Sequence, residues 1–349
     1  MDAHSAHKAL IAPLRAAMHD FDAASVRAAL RAVIAPDAVI HMAHPFGDLS
    51  GPQQLYDTCY APLLNAMPDL ERRDWIVMGG RTEHGDDWVG CGGHYYGTFV
   101  APWLDIPPTG HLTHMRFHEF YRIADGQVVE AQAIWDIPEI MMQAKAWPMA
   151  PSLGLEFCVP GPATQDGIVP GPWDGARSKA SCDHILNMLE YLTKHPSQGG
   201  PEVMEMHRFW HPRMNWYGPS GIGTGRGIAG FRNWHQIPFL NGMPDRGKNV
   251  ENITYHFFGD AEYAAVTGWP NMIQTVTNDG WMGIAPSGKK ITMRSLDFWR
   301  LENGLIRENW VMVDLLDAYR QLGVDVFARL REFNKARVPG TIPFPIGEV

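Results

Sequence analysis

The chain has 349 residues, of which 45% are apolar and 19% charged, a composition typical of globular proteins with enough apolar material for two cores. Its 29 Lys and Arg residues stand against 38 Asp and Glu residues, which gives a net charge of −9. No run of basic residues could neutralise a phosphate backbone, so nucleic acid is a poor candidate partner.

The sequence indicates neither export nor membrane insertion. The first 21 residues form a helical pattern with acidic residues and histidines, without a basic region ahead of an apolar stretch. Nowhere do 18 uncharged apolar residues run together. We therefore expect a cytoplasmic protein without a membrane partner. The cysteines lack the spacing of a metal or redox motif, and we expect buried thiols at Cys59, Cys91, Cys158 and Cys182.

The chain repeats itself. PLLNAMPD at 62–69 and PFLNGMPD at 238–245 share six of eight residues at an offset of 176. GHLTHMRFHEFYRIADGQVVEAQAIWD at 110–136 aligns without gaps to GKKITMRSLDFWRLENGLIRENWVMVD at 288–314, at an offset of 178 and with eight identities in 27 positions. The sequence therefore predicts two copies of one domain.

A stretch rich in proline and glycine separates the copies, which favours an irregular connector. Its apolar residues lead us to expect that it packs along the surface. The expected organisation is a first domain, a connector, a second domain and a tail, at 1–147, 148–177, 178–337 and 338–349.

Each copy reads as helices followed by strands. In chain order, copy one shows a helix, a strand, a helix and a long hairpin, at 7–34, 39–44, 51–67 and 112–136. Copy two follows the same order, at 179–194, 214–217, 228–242 and 291–314. No strand leads through a crossover helix to a parallel strand, so we predict an α+β fold with an antiparallel sheet.

Both hairpins have a strong turn signal. Asp125-Gly126 and Asn303-Gly304 stand between strand-like residues and favour two-residue type I′ turns. This register places Glu119 opposite Gln132, and alternation then puts both on one face of the sheet with Asp136.

The equivalent face of copy two carries Asp297, Trp310 and Asp314. Charges among apolar residues are costly, so a pocket is the natural explanation. The two acids of each copy lie on the order of 13 Å apart along the strands. We therefore expect Asp136 and Asp314 to act singly as acid/base groups with raised pKa values, assisted by Glu119 and Asp297.

Two alternatives stay open for these carboxylates. An aspartate at the end of a strand also caps a following helix, and Asp314 directly precedes LLDAYRQL. If the turn is one residue longer, Glu119 and Asp297 face solvent and His118 faces the pocket instead.

Other polar and aromatic residues are candidates for substrate binding. His41 and Tyr217 occupy equivalent strand positions, so each copy places a hydrogen-bonding ring there. We expect a flat, apolar or aromatic ligand because tryptophans are frequent. The predicted substrate-binding set is His41, His44, Tyr217, His94, Trp269, Gln132 and Trp310.

We expect neither a metal nor a cofactor. No HExxH or other metal-ligand spacing occurs. GIGTGRG at 221–227 resembles a dinucleotide loop only superficially, because the predicted sheet is antiparallel.

The two hairpins and their flanks resemble the SnoaL-like polyketide cyclase family. Copy one has Pro107-Pro108-Thr109-Gly110, while copy two keeps Trp310 four residues before Asp314, followed by Gln321-Leu322-Gly323. The resemblance implies two tandem NTF2-like cones, each a curved antiparallel sheet wrapped around helices, that form an internal pseudo-dimer. Further homodimerisation is possible.

The resemblance also implies an activity. Cyclases of this family use a single aspartate as acid/base in an aldol reaction, and the matching residues are Asp136 and Asp314. We expect a cofactor-independent enzyme that performs aldol-type cyclisation, retro-aldol cleavage, dehydration or isomerisation on an apolar small molecule. The alternatives are a non-catalytic binding protein and an epoxide or ester hydrolase on the same fold.

Overall fold

The computed structural model describes residues 2–335, so the tail expected at 338–349 lies outside the described residues. Copy one contains two helices, a mixed α/π helical segment, six strands and a final helix. In chain order these elements are α1 (Ala3–His19), α2 (Ala23–Val33), β1 (Ile34–Met42), β2 (Gly47–Ser50), α3 (Gly51–Leu55), a π-helical turn (Tyr56–Tyr60), α4 (Ala61–Ala66), β3 (Glu71–Arg81), β4 (Asp87–Thr98), β5 (Leu112–Ala124), β6 (Gln127–Trp135) and α5 (Ile137–Gln143).

Copy two repeats this order. Its elements are α6 (Gly175–Leu192), two 3₁₀ turns (Pro201–Met204 and Met206–Arg208), β7 (Trp210–Tyr217), β8 (Gly225–Arg226), α7 (Gly227–Phe231), a π-helical turn (Arg232–Gln236), α8 (Ile237–Gly242), β9 (His256–Asp260), β10 (Tyr263–Thr267), β11 (Met272–Thr275), β12 (Lys290–Met293), β13 (Ser295–Glu302), β14 (Leu305–Val313), α9 (Leu315–Gln321) and α10 (Val326–Asn334).

The two six-stranded sheets have the same topology, which confirms two tandem α+β domains; β11 and β12 pair separately. Their orders are β2-β1-β6-β5-β4-β3 and β8-β7-β14-β13-β10-β9. The sheets are mixed, however, because β1 pairs parallel with β6 and β7 pairs parallel with β14. The expectation of a wholly antiparallel sheet was wrong at these two strands. Each follows a helical segment, so no hairpin turn forces it to run antiparallel to its neighbour.

The turns form as predicted, but the register beyond them shifts. Asp125 and Gly126 both have positive φ, as a type I′ turn requires, and so do Asn303 and Gly304. A β-bulge then interrupts each hairpin, between Arg122 and Ile123 and between Arg300 and Leu301.

The bulges move one strand of each hairpin by one position. Gln132 therefore pairs with Phe120 instead of Glu119, and Trp310 pairs with Phe298. Gln132 and Trp310 lie on the opposite face of the sheet from Glu119 and Asp297, because cross-strand partners share a face. The prediction that they share a face was wrong.

One face of each sheet encloses the cone interior. Helix α1 packs against β3, and Ile11, Leu14 and Met18 are buried at helical spacing. Helices cover this face in both copies, so side chains that point to it can line a cavity inside the cone.

The other faces pack against each other. Phe120 stacks on Phe298 with ring centroids 4.9 Å apart, and these residues are equivalent in the repeat. Gly90 permits this approach, because a Cβ there would lie 2.8 Å from a ring carbon of Phe298. Contact between equivalent residues is the arrangement of an isologous dimer interface, formed here within one chain.

Between α5 and α6 the chain forms only turns and isolated bridges. It lies against both copies, since Val169 N donates to Val77 O and Trp310 Nε1 donates to Pro160 O. Cys158 in this stretch is exposed, so the expectation of four buried thiols was wrong there. Within residues 2–335 no helix has the length and apolarity needed to span a bilayer.

Candidate active site

The structure separates the predicted site residues into two groups. Glu119 points into the interior of cone one, and Asp297 points into the interior of cone two. The others lie on the sheet faces that pack between the copies, or at the rim of that interface: Asp136, Asp314, His118, His41, His44, Tyr217, His94, Trp269, Gln132 and Trp310.

Asp136 and Asp314 hold the copies together in a reciprocal arrangement. Asp136 Oδ2 accepts a hydrogen bond from Ser220 N of copy two at 3.0 Å, and Asp314 Oδ2 accepts one from His44 N of copy one at 3.0 Å. Arg116 Nη2 lies 3.4 Å from Asp136. Because Ser220 and His44 are equivalent in the repeat, the two contacts are related as in a twofold dimer.

Both interface aspartates are almost fully buried, and burial raises the pKa of Asp136 to about 7 and that of Asp314 to about 6. Asp314 Oδ1 also accepts from Asp317 N, which is the helix cap considered as an alternative. Neither side chain lines the cavities described below.

The predicted histidines also contact the opposite copy or the sheet surface. His118 Nδ1 donates to Leu296 O at 2.6 Å, and burial holds its pKa well below the usual value. His41 lies 2.7 Å from Asp48 and stacks on Trp269 of copy two. The face that carries His118 is therefore the domain interface.

The remaining predicted binding residues have protein partners as well. His94 accepts from Trp75 Nε1, Tyr217 stacks on Trp310, and Gln132 Oε1 accepts from Thr267 Oγ1 at 2.5 Å. These contacts engage part of the polar groups between the sheets, while Nε2 of His94 and Nε2 of His118 have no hydrogen-bond partner within residues 2–335.

In cone one, Glu119 is fully engaged by the protein. Its carboxylate accepts from Arg72, Tyr95, Tyr121 and Trp135, at 2.5 to 2.9 Å. Arg72 is 1% exposed and Glu119 2%. This network fills the position at which a ligand would meet the carboxylate.

In cone two, the equivalent carboxylate has lost those partners. At the repeat offset of 178, Tyr121 corresponds to Trp299 and Trp135 to Val313. Val313 has no donor, and the indole N–H of Trp299 makes no hydrogen bond to Asp297. Asp297 is also one methylene shorter than Glu119, so the same sheet position has space in front of it.

Burial governs the ionisation of Asp297. Its one side-chain hydrogen bond from the described residues comes from Ser295 Oγ at 2.5 Å. Burial raises its pKa to about 7, against the opposing effects of the Ser295 hydrogen bond and Arg246. A carboxyl that titrates near neutrality can both take up and release a proton at working pH.

Asp297 lies where an inner and an outer chamber meet. The inner chamber is about 70 Å³ and is lined by the tryptophans Trp210, Trp216, Trp281 and Trp299. The outer chamber is about 300 Å³ and shares Arg246 and Asp297 with the inner one. A third cavity of about 410 Å³ meets the inner chamber at His235. The outer volumes are within the usual range for small-molecule sites.

The chambers contain polar groups that the sequence reasoning missed. Arg246 makes no ion pair within the described residues, and its Nε has no hydrogen-bond partner there. His235 stacks on Trp216 at 4.1 Å, and burial lowers its pKa to about 3. The buried Gln236 Oε1 and Trp299 Nε1 likewise have no partner in residues 2–335.

A shortened sheet explains why these groups face a cavity. Strands β9 and β10 have five residues each, whereas β3 and β4 have 11 and 12. A loop that carries Arg246 replaces the missing part of β9. The available signal was the divergence of the repeat between 246 and 255, which contrasts with the well-aligned hairpin.

Solved structures of known proteins are similar to parts of this chain that are about the size of one copy. IdmH from Streptomyces antibioticus is 24% identical over 40% of this chain and 98% of its own, with a TM-score of 0.34. An NTF2-like protein from Burkholderia thailandensis E264 is 18% identical over 39% of this chain and 95% of its own, with a TM-score of 0.31. A search of curated proteins finds no match.

The family model described as SnoaL-like polyketide cyclase matches twice, at residues 14–144 and 202–322. The two matches fall on the two cones and together cover most of the chain. The chain therefore belongs to the SnoaL-like polyketide cyclase family, of which it carries two tandem copies.

Proposed function

We propose that cone two is the catalytic unit of a cofactor-independent enzyme, with Asp297 as its single acid/base. The substrate is an apolar, aromatic or polyketide-like molecule that carries a carbonyl group. The reaction begins with proton transfer at the carbon next to that carbonyl, as aldol-type cyclisation, retro-aldol cleavage, dehydration and isomerisation require.

The chemistry can be followed atom by atom for a cyclisation. The Asp297 carboxylate removes a proton from the carbon next to a carbonyl, and the electrons move to the carbonyl oxygen. The guanidinium of Arg246, which lines the same chambers, stabilises the resulting enolate. The enolate carbon adds to a second carbonyl, and the new alkoxide takes the proton back from Asp297.

One observation carries this proposal: a carboxyl with a pKa of about 7 faces a tryptophan-lined cavity that also contains an unpaired arginine. Perturbed carboxyls in concave sites are typical of acid/base catalysts. The neutral His235 ring next to them supplies a polar edge without a competing positive charge.

The test is proton exchange at carbon. β-Tetralone, an aromatic ketone with acidic protons next to its carbonyl, is incubated with the protein in D₂O, and loss of its proton signal is followed by NMR. We expect the wild-type chain to accelerate exchange and Asp297→Asn to abolish the acceleration. Asp136→Asn and Asp314→Asn serve as matched controls and should retain it, because their side chains lie between the sheets.

The outcomes separate the candidate functions. Loss in Asp314→Asn with retention in Asp297→Asn would overturn the assignment to the cone interior. If quenching of tryptophan fluorescence shows that a hydroxyanthraquinone binds to wild type without any ketone exchange, cone two is a binding site and not a catalytic one.

A further inference from the structure

We propose that His4, His7 and Asp87 form a zinc site that fastens the first turn of α1 to the start of β4. None of these three residues lines the chambers beside Asp297, and the proposal does not depend on the function of cone two.

The three side chains converge from distant parts of the chain. His4 and His7 lie three positions apart on α1, so both rings project from the same side of the helix. Asp87 is the first residue of β4. One ligand atom from each residue falls within 4.8 Å of the other two, and His4 Nδ1 lies 3.8 Å from Asp87 Oδ1.

Both imidazoles have polar atoms that the protein leaves unused. His4 is 7% exposed, and its Nδ1 has no hydrogen-bond partner within residues 2–335. The Nδ1 of His7 is likewise buried and unpartnered there. Buried polar atoms normally find a partner, and two unsatisfied ring nitrogens beside one carboxylate indicate a missing ligand.

The donor set identifies the ligand as a transition metal. Two imidazole nitrogens and one carboxylate oxygen are typical of Zn²⁺, which takes such ligands at about 2.0–2.2 Å with a water in the fourth position. Tetrahedral ligands at that distance lie roughly 3.3 Å from each other. Small movements of the side chains from their present separations would therefore suffice.

Two neighbouring residues affect the site: Trp173 packs against one ligand, and Arg81 competes with the metal for Asp87. The ring of Trp173 packs edge-on against His4 with centroids 4.4 Å apart, which fixes the imidazole. Arg81 binds both oxygens of Asp87, at 2.9 and 2.8 Å. Because the Arg81 side chain is 57% exposed, it can release one oxygen to a metal with little loss.

The experiment uses full-length protein without an affinity tag, freed of metal by a chelator. Zn²⁺ is titrated by calorimetry, and the thermal midpoint is recorded with and without the metal. We expect one Zn²⁺ per chain and a rise in the midpoint, because a ligand that binds only the folded state stabilises it.

Four variants make the result specific. His7→Gln and Asp87→Asn should each lose the stoichiometric binding and the rise in the midpoint. His207→Gln removes an exposed histidine elsewhere and should change neither. Arg81→Gln should bind Zn²⁺ more tightly than wild type, since it frees Asp87; a merely structural role of these histidines would not produce this gain. Absence of binding to wild type, or equal binding by His7→Gln and Asp87→Asn, would overturn the proposal.

Discussion

Replacing Asp297 with asparagine should stabilise the protein, and the gain should grow with pH. The pKa of this carboxyl is about 7 in the folded protein, whereas in the unfolded chain it is near the ordinary aspartate value of 3.8. Between these values the folded state binds more protons than the unfolded state, so the free energy of unfolding falls as the pH rises. Asparagine has nearly the same shape and carries no charge at any of these pH values.

The size of the stability difference follows from the interval between the two pKa values. At about 1.4 kcal/mol per pH unit between 3.8 and about 7, the ionised carboxylate opposes folding by about 4 kcal/mol at pH 8. Below pH 4 the penalty disappears. Asp297→Asn should therefore be close to wild type at pH 4 and more stable by about 4 kcal/mol at pH 8.

Urea unfolding monitored by tryptophan fluorescence at several pH values measures this difference. Asp69→Asn is the control of opposite sign: hydrogen bonds from Thr98 lower the pKa of Asp69, so its removal should destabilise the protein at neutral pH. A stability difference between Asp297→Asn and wild type that stays constant from pH 4 to pH 8 would refute the reasoning, because it would mean that Asp297 ionises as in the unfolded chain.

The other carboxylates give two further predictions. Glu119→Gln removes the charge opposite the buried Arg72 and should cost about 3 kcal/mol or more in urea unfolding; a loss below about 1 kcal/mol would show that the network is not holding cone one together. Burial raises the pKa of Asp136 and Asp314, so both should weaken the packing of the copies as the pH rises towards 7. Hydrogen-exchange protection factors at the ends of β6 and β14, which correct for the intrinsic rise of the exchange rate with pH, should fall between pH 5 and pH 8 in wild type and not in the Asp136→Asn, Asp314→Asn double variant.

Much of the fold could be predicted because local signals and the repeat agree. The Asp125-Gly126 and Asn303-Gly304 turns require positive φ and have it, and the repeat supplies the second domain. Glu119 lies on the strand before its bulge, and its own face did not depend on the shifted pairing.

The bulges are what sequence reasoning missed. Nothing in the sequence around Val129 marks it as an extra residue, yet this one unpaired position of β6 moves Asp136 and Gln132 to the interface. The cavity could not be predicted either, because Arg246 comes from a loop in which the repeat has diverged. His7 and Asp87 are brought together only by the packing of α1 on the sheet.

The two copies differ in how many hydrogen bonds their buried carboxylate receives and in how much space lies beside it. In cone one, four donors satisfy Glu119, and the interior is closed around the Arg72 ion pair. In cone two, Asp297 receives one side-chain donor among the described residues, and the room around it is open. Buried polar groups that lack partners reduce stability, so such a site is best tolerated beside a domain whose own carboxylate is satisfied.

Giving cone two the hydrogen-bond donors of cone one tests whether this difference creates the site. Trp299→Tyr with Val313→Trp introduces the two residue types that bind Glu119 in cone one, at the equivalent positions. The new hydroxyl and indole should donate to Asp297, lower its pKa and fill the inner chamber of about 70 Å³. We expect higher stability at pH 8 in urea unfolding, together with loss of β-tetralone exchange. Exchange that persists in this variant would contradict the assignment, because Asp297 would then act without its raised pKa and without the inner chamber.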